Sequence, residues 1–135
     1  MLNKLSLFAL PNVPEVLPGD DVGALMCEWL AASEITLQPH DIIVIAQKII
    51  SKAEDRYVYF RDVVPSKRAE QVALEVDKGA RLVELILSES DEISRMRKGV
   101  LVVRHRLGFV SANAGIDRSN VPQDCERERV LLLPV

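Results

Sequence analysis

The chain has 135 residues, and 46 of them are Leu, Val, Ile or Phe, a share well above that of disordered chains and enough for one core. Its 17 Lys and Arg against 20 Asp and Glu leave a net charge of −3, which argues against a nucleic-acid partner, since that would need a basic excess. The longest apolar runs, 42–46 and 130–135, are too short to span a bilayer, and two cysteines, Cys27 and Cys125, make neither a disulfide framework nor a zinc knuckle.

A single cytoplasmic domain without a membrane partner is therefore expected. Residues 4–10 alternate loosely and predict a first strand. Lys4 is followed by neither a long apolar stretch nor a small-residue cleavage site, so no signal peptide is expected. Three prolines and one glycine in 11–21 make that stretch an ordered loop. Asp20 then stands where an N-cap belongs, and Val22, Leu25, Met26, Trp29 and Leu30 follow the spacing of one helix face. The β-branched run 41–46 predicts a strand buried on both faces.

A shorter, more polar strand is expected over 56–60. Pro65-Ser66 opens a helix whose Ala69, Val72, Ala73 and Val76 line one side, and Gly79 breaks it. A second helix carries Leu82, Val83, Leu85, Ile86 and Ile93. Segments 99–105 and 108–112 predict a hairpin around Arg106-Leu107-Gly108, residues 113–120 a polar loop, and 129–133 a last apolar strand. The element order β-α-β-β-α-α-β-β-β predicts an α/β or α+β fold with a mixed sheet and flanking helices. The apolar stretch 130–135 resembles a core strand more than a frayed terminus, as though the chain were cut there, and is expected to pair within the fold or across a dimer.

Three places combine polar groups with backbone-bending residues. Asp20 and Asp21 fit metal ligands, or more plainly a cap and a complement to the helix dipole. Lys48, Ser51 and Lys52 follow a predicted strand, where α/β folds often hold ligands, but no Gly-rich cradle precedes them and a solvated Lys–Glu pair fits as well. In 113–120, Asp117 suits Mg²⁺, which takes one or two carboxylates and leaves its other positions to water and phosphate. Asn120 suits a base or ribose, and a turn with local side-chain bonds explains the same residues. His40 and His105 lack metal-type companions at helical spacing and read as structural or solvent-facing.

Taken together, the three places resemble one family. Pro18-Gly19-Asp20-Asp21, Ser51-Lys52-Ala53-Glu54, Pro65-Ser66 before a helix, Gly108-Phe109, the run Ala112-Asn113-Ala114-Gly115-Ile116-Asp117-Arg118-Ser119-Asn120-Val121 and Leu132-Leu133-Pro134 fall in the order found in the N-terminal part of coenzyme F420-0:L-glutamate ligases. The resemblance implies that 1–135 is one domain, the N-terminal part of a larger ligase fold. It implies GTP as a substrate beside coenzyme F420-0 and L-glutamate, a divalent metal (Mg²⁺ or Mn²⁺), a monovalent cation such as K⁺, and a homodimer. The implied reaction phosphorylates the precursor carboxylate to an acyl phosphate, which the glutamate amine converts to an amide.

Residue by residue, Val13, Pro14, Glu15 and Val16 match one nucleotide-contacting stretch, and Gln47, Lys48 and Lys52 a second. Asn120 matches a further nucleotide contact and Asp117 a metal ligand. No residue is assigned as the catalytic group. Asp55 replaces a glycine of the family pattern, a change Asp tolerates because it enters left-handed turns more readily than most residues. Family members are about double this length, so the chain by itself is expected to be inactive. The competing expectation is a non-catalytic nucleotide- or metal-binding or oligomerisation module on the same fold.

Overall fold

The computed structural model describes residues 5–118 and 129–135, and they form two compact units, Met1–Asp55 and Arg56–Val135. The architecture is α+β, as expected. The described strands pair antiparallel in two small sheets, where the sequence suggested one sheet of mixed direction. No helix among the described residues is long and apolar enough to cross a membrane.

The first unit holds two helices, α1 (Val22–Ala32) and α2 (Gln47–Ala53). The cap of α1 is Asp21, whose carboxylate accepts from the Ala24 N–H at 3.0 Å. Asp20, expected in that role, instead accepts from the Leu17 N–H at 2.8 Å, closing a turn that Gly19 completes at φ +88°. Trp29 is the buried member of the helix face. Segments 5–10 and 41–46, both expected as strands, belong to no strand. Their composition suits a sheet, yet a strand also needs a neighbour for its N–H and C=O groups, and none lies beside them among the described residues.

The second unit builds its own core. Its helices are α3 (Lys67–Val76) and α4 (Ala80–Ser88), and its strands β1 (Tyr57–Tyr59), β2 (Ser90–Arg97), β3 (Val100–His105), β4 (Val110–Ala112) and β5 (Arg129–Leu131). Ser66 caps α3 by accepting from the Ala69 N–H at 3.2 Å, while its own N–H donates to Glu84 of α4 at 2.8 Å. Ala69, Val72, Ala73 and Val76 are all buried, as the period of 3.6 requires. The helix ends on Asp77 in a left-handed conformation, and Gly79 serves as the N-cap of α4 rather than the breaker of α3.

Leu82, Val83, Leu85 and Ile86 bury the inner face of α4, but Ile93 lies beyond it in β2. Strands β2, β3 and β4 form an antiparallel sheet against which both helices pack. On β3 the alternate residues Leu101, Val103 and His105 are buried, the period-2 signature of a strand with one face on a core. The predicted hairpin is present: His105 donates to the Phe109 carbonyl at 2.8 Å, and Gly108 takes φ +91° at the corner. Val130, Leu131 and Leu132 are buried, with β5 paired to β1 inside the unit.

Candidate functional site

Two of the predicted stretches meet in the first unit. Lys48 and Lys52 are four residues apart on α2 and therefore share a face of the helix. With Ile49 they line an open cleft of about 320 Å³ whose other wall is Val13, Pro14, Glu15 and Val16. A backbone bond from the Gly19 N–H to the Ala53 carbonyl, 2.8 Å, ties the loop to the end of α2. Val16 is buried and anchors the loop, whereas Val13, Pro14 and Glu15 are exposed.

Lys52 Nζ donates to Glu15 Oε1 at 2.8 Å, so a Lys–Glu pair is present. Glu15 is 66% exposed, and an ion pair this open contributes only about 0–1 kcal/mol. A polyanion offering several oxygens competes with one solvated carboxylate easily. Two ammonium groups and one carboxylate line the cleft, and ammonium donors of this kind suit such a ligand. Gln47 stands apart from the lining residues, its side-chain amide donating to the buried Ser51 hydroxyl and so bracing α2. Asp55 follows at φ +52°, the left-handed conformation that a glycine would adopt without strain.

Asp117 belongs to the second unit. Its N–H and C=O exchange bonds with Leu131 at 2.9 and 3.0 Å, fixing the backbone of an isolated bridge against β5. The approach to it is a short 3₁₀ turn, Asn113–Gly115, in which Asn113, Ala114 and Gly115 all take positive φ. A Cβ at Gly115 would stand 2.8 Å from the Leu133 Cδ1 methyl, so a side chain there would have to displace Leu133, and φ +69° favours glycine in any case. Among the described residues no group of three or more His, Cys, Asp and Glu gathers, around Asp117 or elsewhere. Asn120 lies outside the described residues.

One cluster escaped the sequence reading. Glu89, the buried C-cap of α4, receives Arg56 at 2.9 Å and Arg106 at 3.2 Å, and His105 Nε2 stands 3.6 Å away. Arg56 Nε also donates to the Leu133 carbonyl at 2.8 Å. The side chains come from three separate stretches, at 56, 89 and 105–106, and no local pattern announces the group. His105 is accordingly structural: its Nδ1 accepts from the Leu107 N–H, and its ring stacks on Phe109 at 4.9 Å.

Fold and cleft together define an α+β chain with two lysines facing an ordered loop. The model of the F420-0:Gamma-glutamyl ligase family matches residues 12–135, and the chain belongs to that family. It is 43% identical over 117 residues to a coenzyme F420:L-glutamate ligase of Methanothermobacter thermautotrophicus, covering 87% of this chain and 46% of that protein. It is 36% identical to the ligase of the same name from Halorubrum lacusprofundi over 96% of this chain and 50% of that one. For the Archaeoglobus fulgidus ligase the figures are 34%, 97% and 48%. The chain spans about half the length of the curated relatives it matches.

Proposed function

We propose that this chain is the N-terminal, nucleotide-holding part of a coenzyme F420-0:L-glutamate ligase that acts in F420 biosynthesis and uses GTP. The supporting observation is the cleft, in which the two stretches matched separately to nucleotide contacts, 13–16 and the Lys48–Lys52 face of α2, line one space. Lys52 and Lys48 receive the phosphates, and Lys52 exchanges its Glu15 partner for a phosphate oxygen. The ordered loop excludes water from one side. A carboxylate oxygen of F420-0 takes the terminal phosphoryl group, releasing GDP. The glutamate amine then attacks the acyl carbon, loses a proton and expels phosphate, leaving an amide.

Asp117 would hold the divalent metal, Mg²⁺ or Mn²⁺. One carboxylate is compatible with Mg²⁺, whose remaining positions go to water and phosphate oxygens. When bound, such an ion neutralises charge that builds on a transferring phosphoryl group. A K⁺ ion and a homodimer complete the proposed assembly, and the chain alone forms no amide.

The test is titration calorimetry of the 135-residue chain with GTP and Mg²⁺. Lys52→Ala should weaken binding on the order of ten- to a hundredfold, the worth of one charge-assisted contact, with an unchanged melting temperature. Equal affinity in wild type and Lys52→Ala contradicts the reading.

A further inference from the structure

The turn that leads to Asp117 has a conformation its residues do not favour. Asn113, Ala114 and Gly115 take φ of +52°, +54° and +69°, and Ala114, which has no polar side chain to offset the strain, is buried. Left-handed backbone at such residues persists only where the surroundings impose it. Here the stretch 131–133 imposes it. The Leu131 N–H and C=O bond to the Asp117 C=O and N–H at 3.0 and 2.9 Å, and the Leu133 side chain fills the space that a Cβ on Gly115 would need.

One residue fixes that stretch in turn. Arg56 Nε donates to the Leu133 carbonyl at 2.8 Å, and the Arg56 carbonyl accepts from the Leu132 N–H at 2.9 Å. The other arm of the guanidinium, Nη2, donates to Glu89 Oε2 at 2.9 Å, where Glu89 is buried and Arg56 mostly so. A buried ion pair contributes little net stability over an apolar pair of the same shape, and its best-attested use is to fix a register. Arginine suits that use, because its planar fork reaches two acceptors at once where a lysine meets one. All of these residues belong to the unit Arg56–Val135.

We propose that Arg56, aligned by Glu89, is a positioning residue for Asp117. It sets the register of 131–133, and 131–133 holds the strained turn and the backbone from which the Asp117 carboxylate projects. The inference rests on the metal reading of Asp117 for what the position serves, while the link from Arg56 to the Asp117 backbone is measurable without it.

The test is amide exchange, read by NMR, on the 135-residue chain as wild type, Arg56→Lys, Glu89→Gln and Arg106→Ala. Arg56→Lys keeps a charge beside Glu89 but cannot also hold the Leu133 carbonyl. The Asp117 and Leu131 amides should then exchange on the order of ten- to a hundredfold faster, the worth of one charge-assisted bond, with the β3 amides unchanged. Glu89→Gln keeps the shape of the acceptor without its charge and should move the same two amides by a smaller factor. Arg106→Ala takes another ion partner from Glu89 without touching 131–133, so both amides should stay as in the wild type. Two results overturn the proposal. One is Asp117 exchange that only keeps pace with β3 in both Arg56→Lys and Glu89→Gln; the other is an equal rise in Arg106→Ala. Either would make the cluster a general support of the fold. Line broadening by Mn²⁺ reports on the metal separately. It should centre on Asp117 in the wild type, and broadening spread evenly over exposed carboxylates would overturn the metal reading alone, with the exchange rates still deciding the positional link.

Discussion

The two units draw on nearly the same stock of apolar residues: 19 of the first 55 residues are Leu, Val, Ile or Phe, against 27 of the remaining 80. Only the second closes a core with them. Among the described residues, the buried apolar side chains of Met1–Asp55 are Val16 and Trp29, while Arg56–Val135 buries a cluster running from Phe60 to Leu132. The difference lies in where the partners sit. Helices α3 and α4 and the β2–β3–β4 sheet are consecutive and close on one another, whereas segments 5–10 and 41–46 have the composition of strands and no described neighbour. Hydrophobic content sets how much surface a segment can bury; the topology decides whether it does.

The largest expected effect contrasts two isoleucines. Ile86, fully buried on α4, should cost about 4 kcal/mol when changed to Ala, toward the upper end for a core site that cannot collapse. Ile42→Ala, at a side chain 86% exposed, should stay within about 0.5 kcal/mol in the 135-residue chain. Urea unfolding of both variants checks the pair. Similar losses would mean that the first unit has a core of its own.

Next comes Glu89→Ala, which strands Arg56 and Arg106 and frees the Leu133 carbonyl's partner. A loss of about 3 kcal/mol is expected, at the low end for a broken buried ion pair because Arg106 is half-exposed. Chemical denaturation measures it, and a loss near zero would make the cluster a bystander to the fold.

The smallest is a pH effect. The Ser66 hydroxyl and N–H hold the Glu84 carboxyl below its usual value of 4.5, against a weak opposing push from burial. A carboxyl depressed in the folded state contributes stability above its unfolded pKa and loses it as pH falls through the folded value. The stability gap between wild type and Glu84→Gln should therefore narrow as the pH drops below 4.5, read from melting curves across an acid series.

Much of the second unit was legible in sequence because its signals are local. The 3.6-residue spacing of α3 and α4 and the glycine-marked corner after β3 each fall within a short window. Strand β2 was missed because its residues, Ser90–Arg97, are mostly charged or polar, and its single Ile93 was read as an extension of the preceding helix. Segment 41–46 erred in the opposite direction, since a β-branched run reports propensity and not the presence of a neighbour. Asp20 and Asp21 are both good caps, and only the Gly19 turn decides between them. Among the site residues, Lys48 and Lys52 share a face by helical spacing alone, but their meeting with 13–16 around one cleft is a tertiary fact that residue types do not announce. The Glu89 cluster had no signal, for its members lie between positions 56 and 106.

Hydrogen–deuterium exchange of the 135-residue chain, with and without GTP and Mg²⁺, tests the nucleotide cleft most directly. The account predicts slower exchange over 13–16 and 47–53, with β3 unchanged in the second unit's core. GTP-induced protection that spares both cleft segments, or no protection at nucleotide concentrations reaching the millimolar range expected of weak binders, on the order of −4 kcal/mol, would contradict it.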